Sequence, residues 1–169
     1  NSGFWSLQCA LLGANVVGFD AREELVAQAN LLKSIVGVTN VEYRQLDFWD
    51  MTPAALDGKF DVVLNLGLLY HLAKPLEALE LTLAMSHGHV VLDTGVFCSE
   101  MPLSWMFWEL PDDIRNAAET GVVVYPSPVS VDMMLAHVGA KRWHRIPVRS
   151  QDMPRVYHEG RRASWLIEA

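Results

Sequence analysis

The sequence predicts an α/β fold: a doubly wound sheet, mostly parallel, that closes on an antiparallel C-terminal strand pair. Three observations carry this. Short apolar runs alternate with segments of helical periodicity along most of the chain. The run Phe60-Asp61-Val62-Val63-Leu64-Asn65-Leu66 is nearly continuous and rich in β-branched residues, as suits a parallel strand buried on both faces. Residues 1–20 read as a turn, a helix and a strand ending on an acid, an arrangement by which doubly wound domains hold a nucleoside.

Each element has its own signal. Asn1, Ser2 and Gly3 form the turn, and a helix runs over residues 4–12 to a stop at Gly13. Residues 16–20 follow as a strand. Leu25, Ala29, Leu32 and Val36 recur at helical spacing over residues 22–36, with Gly37 as the stop. Residues 41–48 read as a strand, followed by a short helical turn around 53–56. After the strand at 60–66 comes a loop holding Tyr70 and His71. Pro75 then suits the first turn of a helix with Leu76, Leu79 and Leu83 on one stripe. Residues 89–92 are the next strand.

The rhythm breaks at Phe97. Residues 98–128 contain Met101, Trp105, Met106, Phe107 and Trp108, a polar helical piece near 112–119, and an apolar run at 121–125. A connection this long marks either a lid or substrate insertion, or aromatics packed over the sheet edge. Ser127 caps a helix that begins with Pro128 and ends near Val138. Residues 141–148 and 163–167 are closing strands. Their connector lacks apolar periodicity, so the two form an antiparallel pair rather than a crossover.

A chain of 169 residues without repeats, linkers or low-complexity runs is expected to be one domain. Half its residues are hydrophobic (51%) and 20% are charged, as in a globular protein. A net charge of −7 argues against broad nonspecific binding to nucleic acid or anionic membranes. The charge is uneven: residues 1–140 carry six Lys and Arg against seventeen Asp and Glu, residues 141–169 seven against three. That basic end is either the solvated face of exposed strands or a site for an anionic substrate. Cys9 and Cys98 make neither a disulfide framework nor a metal cluster, so a cytoplasmic location is expected. The apolar stretch at 4–19 is broken by Gln8, Gly13 and Asn15, so it is not a membrane span. No ligand spacing suggests a metal, and no G-x-S-x-G motif is present.

Four segments, in order, resemble those of class I S-adenosylmethionine-dependent methyltransferases. Asn1-Ser2-Gly3-Phe4-Trp5-Ser6 is similar to the second half of the family's nucleotide loop, and Val16-Val17-Gly18-Phe19-Asp20 to its acidic second strand. Leu46-Asp47-Phe48 is similar to the adenine-contacting motif. The segment from Phe60 to Leu72, with Pro75-Leu76-Glu77, is similar to the fourth-strand motif. Its Leu-Tyr-His version resembles the branch of tRNA wobble-uridine modifying enzymes and many small-molecule methyltransferases. The family's first strand has no counterpart, so the resemblance implies an N-terminally truncated chain of Rossmann-like fold.

The resemblance implies S-adenosylmethionine as cofactor. Asn1 and Gly3 would approach its methionine part closely, and Asp20 would accept from both ribose hydroxyls. Asp47 would accept from the adenine amino group, Phe48 would offer backbone or an aromatic face, and Asn65 would hold the methionine amino group or reacting centre. Tyr70 and His71 would face the acceptor, with His71 a candidate general base, and Trp105 would help exclude water. Each has a plainer role: turn glycine, helix-capping Asp, strand-end polar residue or loop packing. No catalytic residue is assigned. The acceptor is a small molecule or a tRNA base, and neither membrane nor metal is expected. Two other classes stay open: a non-catalytic binding module of the same fold, and a nicotinamide-dependent Rossmann enzyme, since an acid after the second strand fits both cofactors.

Overall fold

A computed structural model describes residues 2–109 and 121–169. Asn1 and the helical piece expected near 112–119 lie outside them. The chain divides into two compact units, Asn1–Leu56 and Asp57–Ala169.

The first unit is two helices and a two-stranded parallel sheet. Helix α1 (Phe4–Leu11) leads to β1 (Val16–Asp20), α2 (Glu23–Val36) and β2 (Val41–Gln45). Strands β1 and β2 pair in parallel, with Gly18 opposite Tyr43 and Asp20 opposite Gln45. Leu7, Ala10 and Val41 form the buried centre, flanked by Val16, Val38 and Tyr43. Helix α2 ends on Gly37 in the left-handed region, as the sequence predicts. Glu23 and Glu24 in its first turn and Lys33 in its last complement its dipole.

The expected strand at 41–48 is shorter than its apolar pattern suggested. It stops at Gln45 because the Asp47 side chain accepts the Trp49 N–H at 2.9 Å. That bond caps a 3₁₀ turn over Phe48–Asp50, and a local side-chain bond of this kind competes with the strand ladder. The segment around 53–56 is a single turn rather than a helix, closed by the Leu56 N–H donating to Thr52 O at 3.2 Å.

Among its described residues, the second unit holds a four-stranded mixed sheet, a hairpin and three helices. In order come β3 (Phe60–Leu66), a 3₁₀ turn (Leu69–His71), α3 (Pro75–Ala84), β4 (Ser86–Gly95), β5 (Ser104–Trp108), β6 (Val122–Pro126), α4 (Pro128–His137), β7 (Arg142–Arg145), α5 (Arg155–His158) and β8 (Arg162–Glu168). The sheet order is β3-β4-β8-β7. Strands β3 and β4 are parallel, and β8 runs antiparallel to both β4 and β7. The antiparallel C-terminal pair is therefore as predicted, although β7 ends at Arg145 and the connector contains the short helix α5. Strands β5 and β6 form a separate antiparallel hairpin, so the long segment after Phe97 has its own sheet.

Leu79, Leu92, Val131, Leu135, Trp165 and Ile167 are fully buried in this unit. Asp132 of α4 ties the helix to the sheet by accepting from Trp143 Nε1 at 3.2 Å, Trp165 Nε1 at 2.9 Å and the Arg145 guanidinium. Ser127 is the N-cap of α4, accepting the Ser130 N–H at 3.1 Å. Its hydroxyl also donates to Met101 O at 2.7 Å and accepts the Leu103 N–H at 3.3 Å, so one buried side chain fixes both the helix and the entry to the hairpin.

Strand β3 is not covered as its composition predicts. Among the described residues it pairs along one edge only, with β4, and Val62 and Leu64 remain 53% and 40% exposed.

Two outcomes follow from these contacts. Ser127→Ala removes a cap and leaves the Leu103 N–H without that acceptor; it should lower stability by about 2 kcal/mol, read as a lower urea midpoint at unchanged slope. An open apolar strand edge is a template for pairing between chains. Replacing Val62 and Leu64 together by Lys should reduce self-association of this chain in light scattering.

Candidate functional site

In the first unit the turn before α1 and the end of β1 border one cleft. Gly3, Ser6, Gly18, Asp20 and Tyr43 contribute to its lining. Gly3 sits at φ 80°, ψ 16°, in the left-handed region, and its carbonyl accepts the first helical bond, from Leu7 N–H at 2.9 Å. The Tyr43 hydroxyl also donates to that carbonyl, at 3.1 Å. A Cβ on residue 3 would lie 2.5 Å from the Tyr43 hydroxyl oxygen, so both backbone conformation and space demand glycine here. Burial raises the Tyr43 pKa, so the hydroxyl stays a donor.

Asp20 closes β1 with its side chain 15% exposed. Its Oδ1 accepts the Arg22 backbone N–H at 3.1 Å and Arg22 Nε–H at 3.0 Å, while Oδ2 accepts from Arg22 Nη2 at 3.3 Å. Burial works to raise the Asp20 pKa, but the Arg22 hydrogen bonds oppose it and the pKa lies below the ordinary carboxylate value. The structure thus brings Gly3 and Asp20 to one cleft. Asp47 and Phe48 do not line it: Asp47 is the cap of its own 3₁₀ turn, and Phe48 is 8% exposed in the core.

In the second unit, Asn65 lies near the C-terminal end of β3 with 4% exposure. Its amide donates to Thr82 Oγ1 at 3.0 Å. Its Oδ1 is a buried acceptor with no hydrogen-bond partner, the only such side-chain atom among the described residues. An orphaned buried acceptor costs free energy until a donor reaches it.

Beyond Asn65 the chain turns at Gly67 (φ 74°), whose N–H donates to Asp93 O at 2.7 Å. A Cβ at residue 67 would lie 2.8 Å from Arg162 Nη2, so glycine lets the guanidinium seat against the loop. Arg162 Nε donates to Asp93 Oδ1 at 2.5 Å, while Asp93 Oδ2 accepts from the Tyr157 hydroxyl at 2.8 Å and from Ser164 Oγ at 2.6 Å. Burial raises the Tyr157 pKa, and Asp93 raises it further. Burial lowers the Arg162 pKa, yet the Asp93 charge more than offsets it.

Tyr70 and His71 follow in the 3₁₀ turn, with their rings 4.0 Å apart. Tyr70 lies 4.9 Å from Tyr125 of β6, and Tyr125 lies 5.4 Å from Phe107 of β5. Phe107 continues to Trp105 at 4.6 Å. The three residues named from sequence on the acceptor side, Tyr70, His71 and Trp105, are therefore linked by the hairpin's aromatics. Sequence reasoning missed Glu109, whose carboxylate stands 3.2 Å from His71 Nδ1, and also Tyr125, Asp93 and Arg162. Each meets its partner through strand pairing or a long loop, and no local spacing announces it.

The basic C-terminal segment resolves largely into ion pairs. Arg142 meets Glu168, Arg145 meets Asp132, Arg155 and Arg161 meet Glu159, and Arg162 meets Asp93. Among the described residues no cluster of His, Cys, Asp and Glu is arranged to hold a metal ion, and no helix is long and apolar enough to cross a membrane.

Comparison with known proteins bears on these positions. A family model described as a methyltransferase domain matches residues 1–83. Over 74 residues the chain is 40% identical to a ubiquinone biosynthesis O-methyltransferase of Cereibacter sphaeroides, spanning 44% of this chain and 29% of that protein. In three dimensions it is similar to the N-terminal domain of EvdMO1, solved with S-adenosylhomocysteine bound, at a TM-score of 0.67 and 20% identity over 98% of this chain and 78% of that one. It is likewise similar to an S-adenosylmethionine-dependent methyltransferase from Mesorhizobium loti, at a TM-score of 0.66 and 17% identity over 99% and 87% of the two chains. The chain thus has the α/β fold of S-adenosylmethionine-dependent methyltransferase structures, and its N-terminal 83 residues match a methyltransferase domain.

Proposed function

We propose that the chain is a methyltransferase that uses S-adenosylmethionine, acting on a small molecule or a tRNA base. The observation that carries this reading is the cleft of the first unit, where a close-approach glycine and an ionised carboxylate stand together. The cofactor supplies an electrophilic methyl group on a sulfonium. Gly3 and the N-terminus of α1 would receive its methionine tail, where backbone N–H groups and the helix dipole favour a carboxylate. Asp20 offers two acceptor oxygens to a vicinal diol, and its lowered pKa keeps it ionised at neutral pH. Asn1 is likewise assigned to the methionine part, and Asp47 with Phe48, which do not line this cleft, to the adenine. In the second unit the orphaned Asn65 Oδ1 is an acceptor suited to an ammonium group. These residues fit the cofactor by donor and acceptor type.

The acceptor side falls to Tyr70, His71 and Trp105, with residues 98–128 serving as lid and substrate wall of one methyltransferase domain. A small molecule is favoured over tRNA, because the arginines of the basic segment are largely satisfied by carboxylates in their own unit. The Leu-Tyr-His motif is compatible with either acceptor, including a wobble uridine. A cytoplasmic enzyme agrees with two free cysteines.

A non-catalytic module of this fold is the second reading. It draws on the Arg22 side chain, which already engages Asp20 where a diol would bind.

Isothermal titration with S-adenosylhomocysteine separates the two. The folded chain should show saturable binding, and no heat at millimolar ligand would remove the methyltransferase reading. Asp20→Ala should weaken binding by about 1.5–3 kcal/mol, the value of a hydrogen bond to a charged group. The pH dependence has a definite sign. The folded pKa of Asp20 lies below its ordinary 3.8, so its contribution to stability is complete above the unfolded value and is lost as pH falls through the folded one. Thermal melts should therefore show Asp20→Asn losing its difference from the parent chain in strong acid.

A further inference from the structure

Strand β5 reads Ser-Trp-Met-Phe-Trp over residues 104–108, and among the described residues it has one neighbour, β6. Its other edge is open. The phase of the ladder is fixed at both ends. Leu103 O accepts the Ser127 N–H at 2.7 Å, and the Glu109 N–H donates to Gly121 O at 2.5 Å. With Met106 opposite Val124, the odd-numbered residues turn their backbone groups to β6, and Ser104, Met106 and Trp108 turn theirs to the open edge.

That edge lacks the usual guards. Charged residues and prolines keep strand edges from pairing between chains. Every strand of the other two sheets with an open edge carries charge: Asp20 in β1, Glu42 and Arg44 in β2, Asp61 in β3, Arg142 and Arg145 in β7. Strand β6 ends on Pro126, whose carbonyl accepts the Phe97 N–H at 3.0 Å. Strand β5 has neither a charge nor a proline. Its surroundings are apolar as well. Trp108 is 76% exposed, Met101 63%, Met106 59% and Trp105 54%, with Leu103 and Phe97 also open to solvent.

We propose that this edge is a homodimer interface, in which β5 pairs antiparallel with β5 of a second copy about a two-fold axis at Met106. Met106 is the middle one of the three outward-facing residues, so the axis there lets the two methionines exchange both backbone hydrogen bonds. Trp105 then stands opposite Phe107 of the second copy, and Ser104 opposite its Trp108. The two hairpins become one four-stranded antiparallel sheet.

Self-complementarity and area select a second copy as the occupant. A two-fold interface needs a patch that matches itself, and this register sets aromatic against aromatic and methionine against methionine with no like charges opposed. The exposed parts of Trp105, Trp108 and Phe97 amount to roughly 300 Å². Met101, Leu103 and Met106 about double that, which approaches the ~800 Å² that one partner brings to a standard interface. Trp105 and Phe107 lie on one face of the strand with their rings 4.6 Å apart, and Phe107 continues to Tyr125 at 5.4 Å. The second copy therefore adds its Phe107 beside Trp105 and extends this aromatic face. The pairing itself is independent of the methyl-transfer reading; only the use of the extended face as a substrate wall rests on it.

Sedimentation equilibrium of the 169-residue chain tests the proposal. The parent should sediment as a dimer. Met106→Lys and Met106→Glu each place like charges across the axis and should weaken dimerisation at least tenfold, with circular dichroism unchanged because the side chain is exposed. Mixed in equal amounts, the two variants should form a heterodimer, which a merely misfolded strand could not do. A cysteine pair reads the register directly, on a Cys98→Ser background because Cys98 is exposed. Across the axis the residue-106 Cα atoms stand about 5.5 Å apart, within disulfide reach, so Met106→Cys should give a linked dimer on mild oxidation. Ser104→Cys should not, because its counterpart lies roughly 14 Å further along the strand. A parent chain that stays monomeric up to millimolar concentration overturns the proposal, including one that binds lipid vesicles through these side chains instead. So do open-ended oligomers, association unchanged by Met106→Lys, or linking as ready at residue 104 as at 106.

Discussion

The second unit depends on one buried carboxylate. Asp93 lies near the C-terminal end of β4 at 7% exposure, where an unpaired charge would be very costly. Three side-chain donors remove that cost, from Arg162, Tyr157 and Ser164. All three come from α5 and β8, the last elements of the chain, so satisfying Asp93 pins the C-terminal strand across β4. The same bond sets Arg162 against Gly67 and over Tyr70, which fixes the loop leaving β3. The placement of the Tyr70 ring is thereby tied to Asp93 through Arg162.

The first unit solves a different problem with similar means. A tight turn must open a helix without collapsing. Gly3 supplies the left-handed conformation, and Tyr43, reaching from β2, supports its carbonyl from below. Asp20, at the end of the neighbouring strand, keeps its charge because Arg22 answers it locally. The arginine is two residues away, so the pairing is made within the strand end and its turn.

Charge illustrates how sequence and structure can give different impressions. Seven cations among the last twenty-nine residues look like an anion-binding face. Folded, most of them find carboxylates, several of which come from distant parts of the chain, as Asp93 and Asp132 do. The acidic excess of the earlier residues and the basic excess of the later ones are partly two halves of the same ion pairs. Surface pairs of this kind add little stability each, but they cancel the field that would steer a polyanion.

Patterning along the chain was sufficient for the fold class, the element order, the Ser127 cap and the antiparallel closing pair, because each depends on period, capping chemistry or turn residues a few positions apart. It also placed Gly3 in a turn and Asp20 at a strand end, since both are local features. It overran β2, where the Asp47 side chain takes a backbone N–H and ends the strand, and it left β3 more covered than it is. Tertiary structure alone decided which carboxylate meets His71, which donors satisfy Asp93 and which acceptor, Asn65 Oδ1, is left waiting. Those pairings join residues 38 to 71 positions apart, and at such separations composition carries no record of who faces whom; only the register of strands and the path of a long hairpin can fix it.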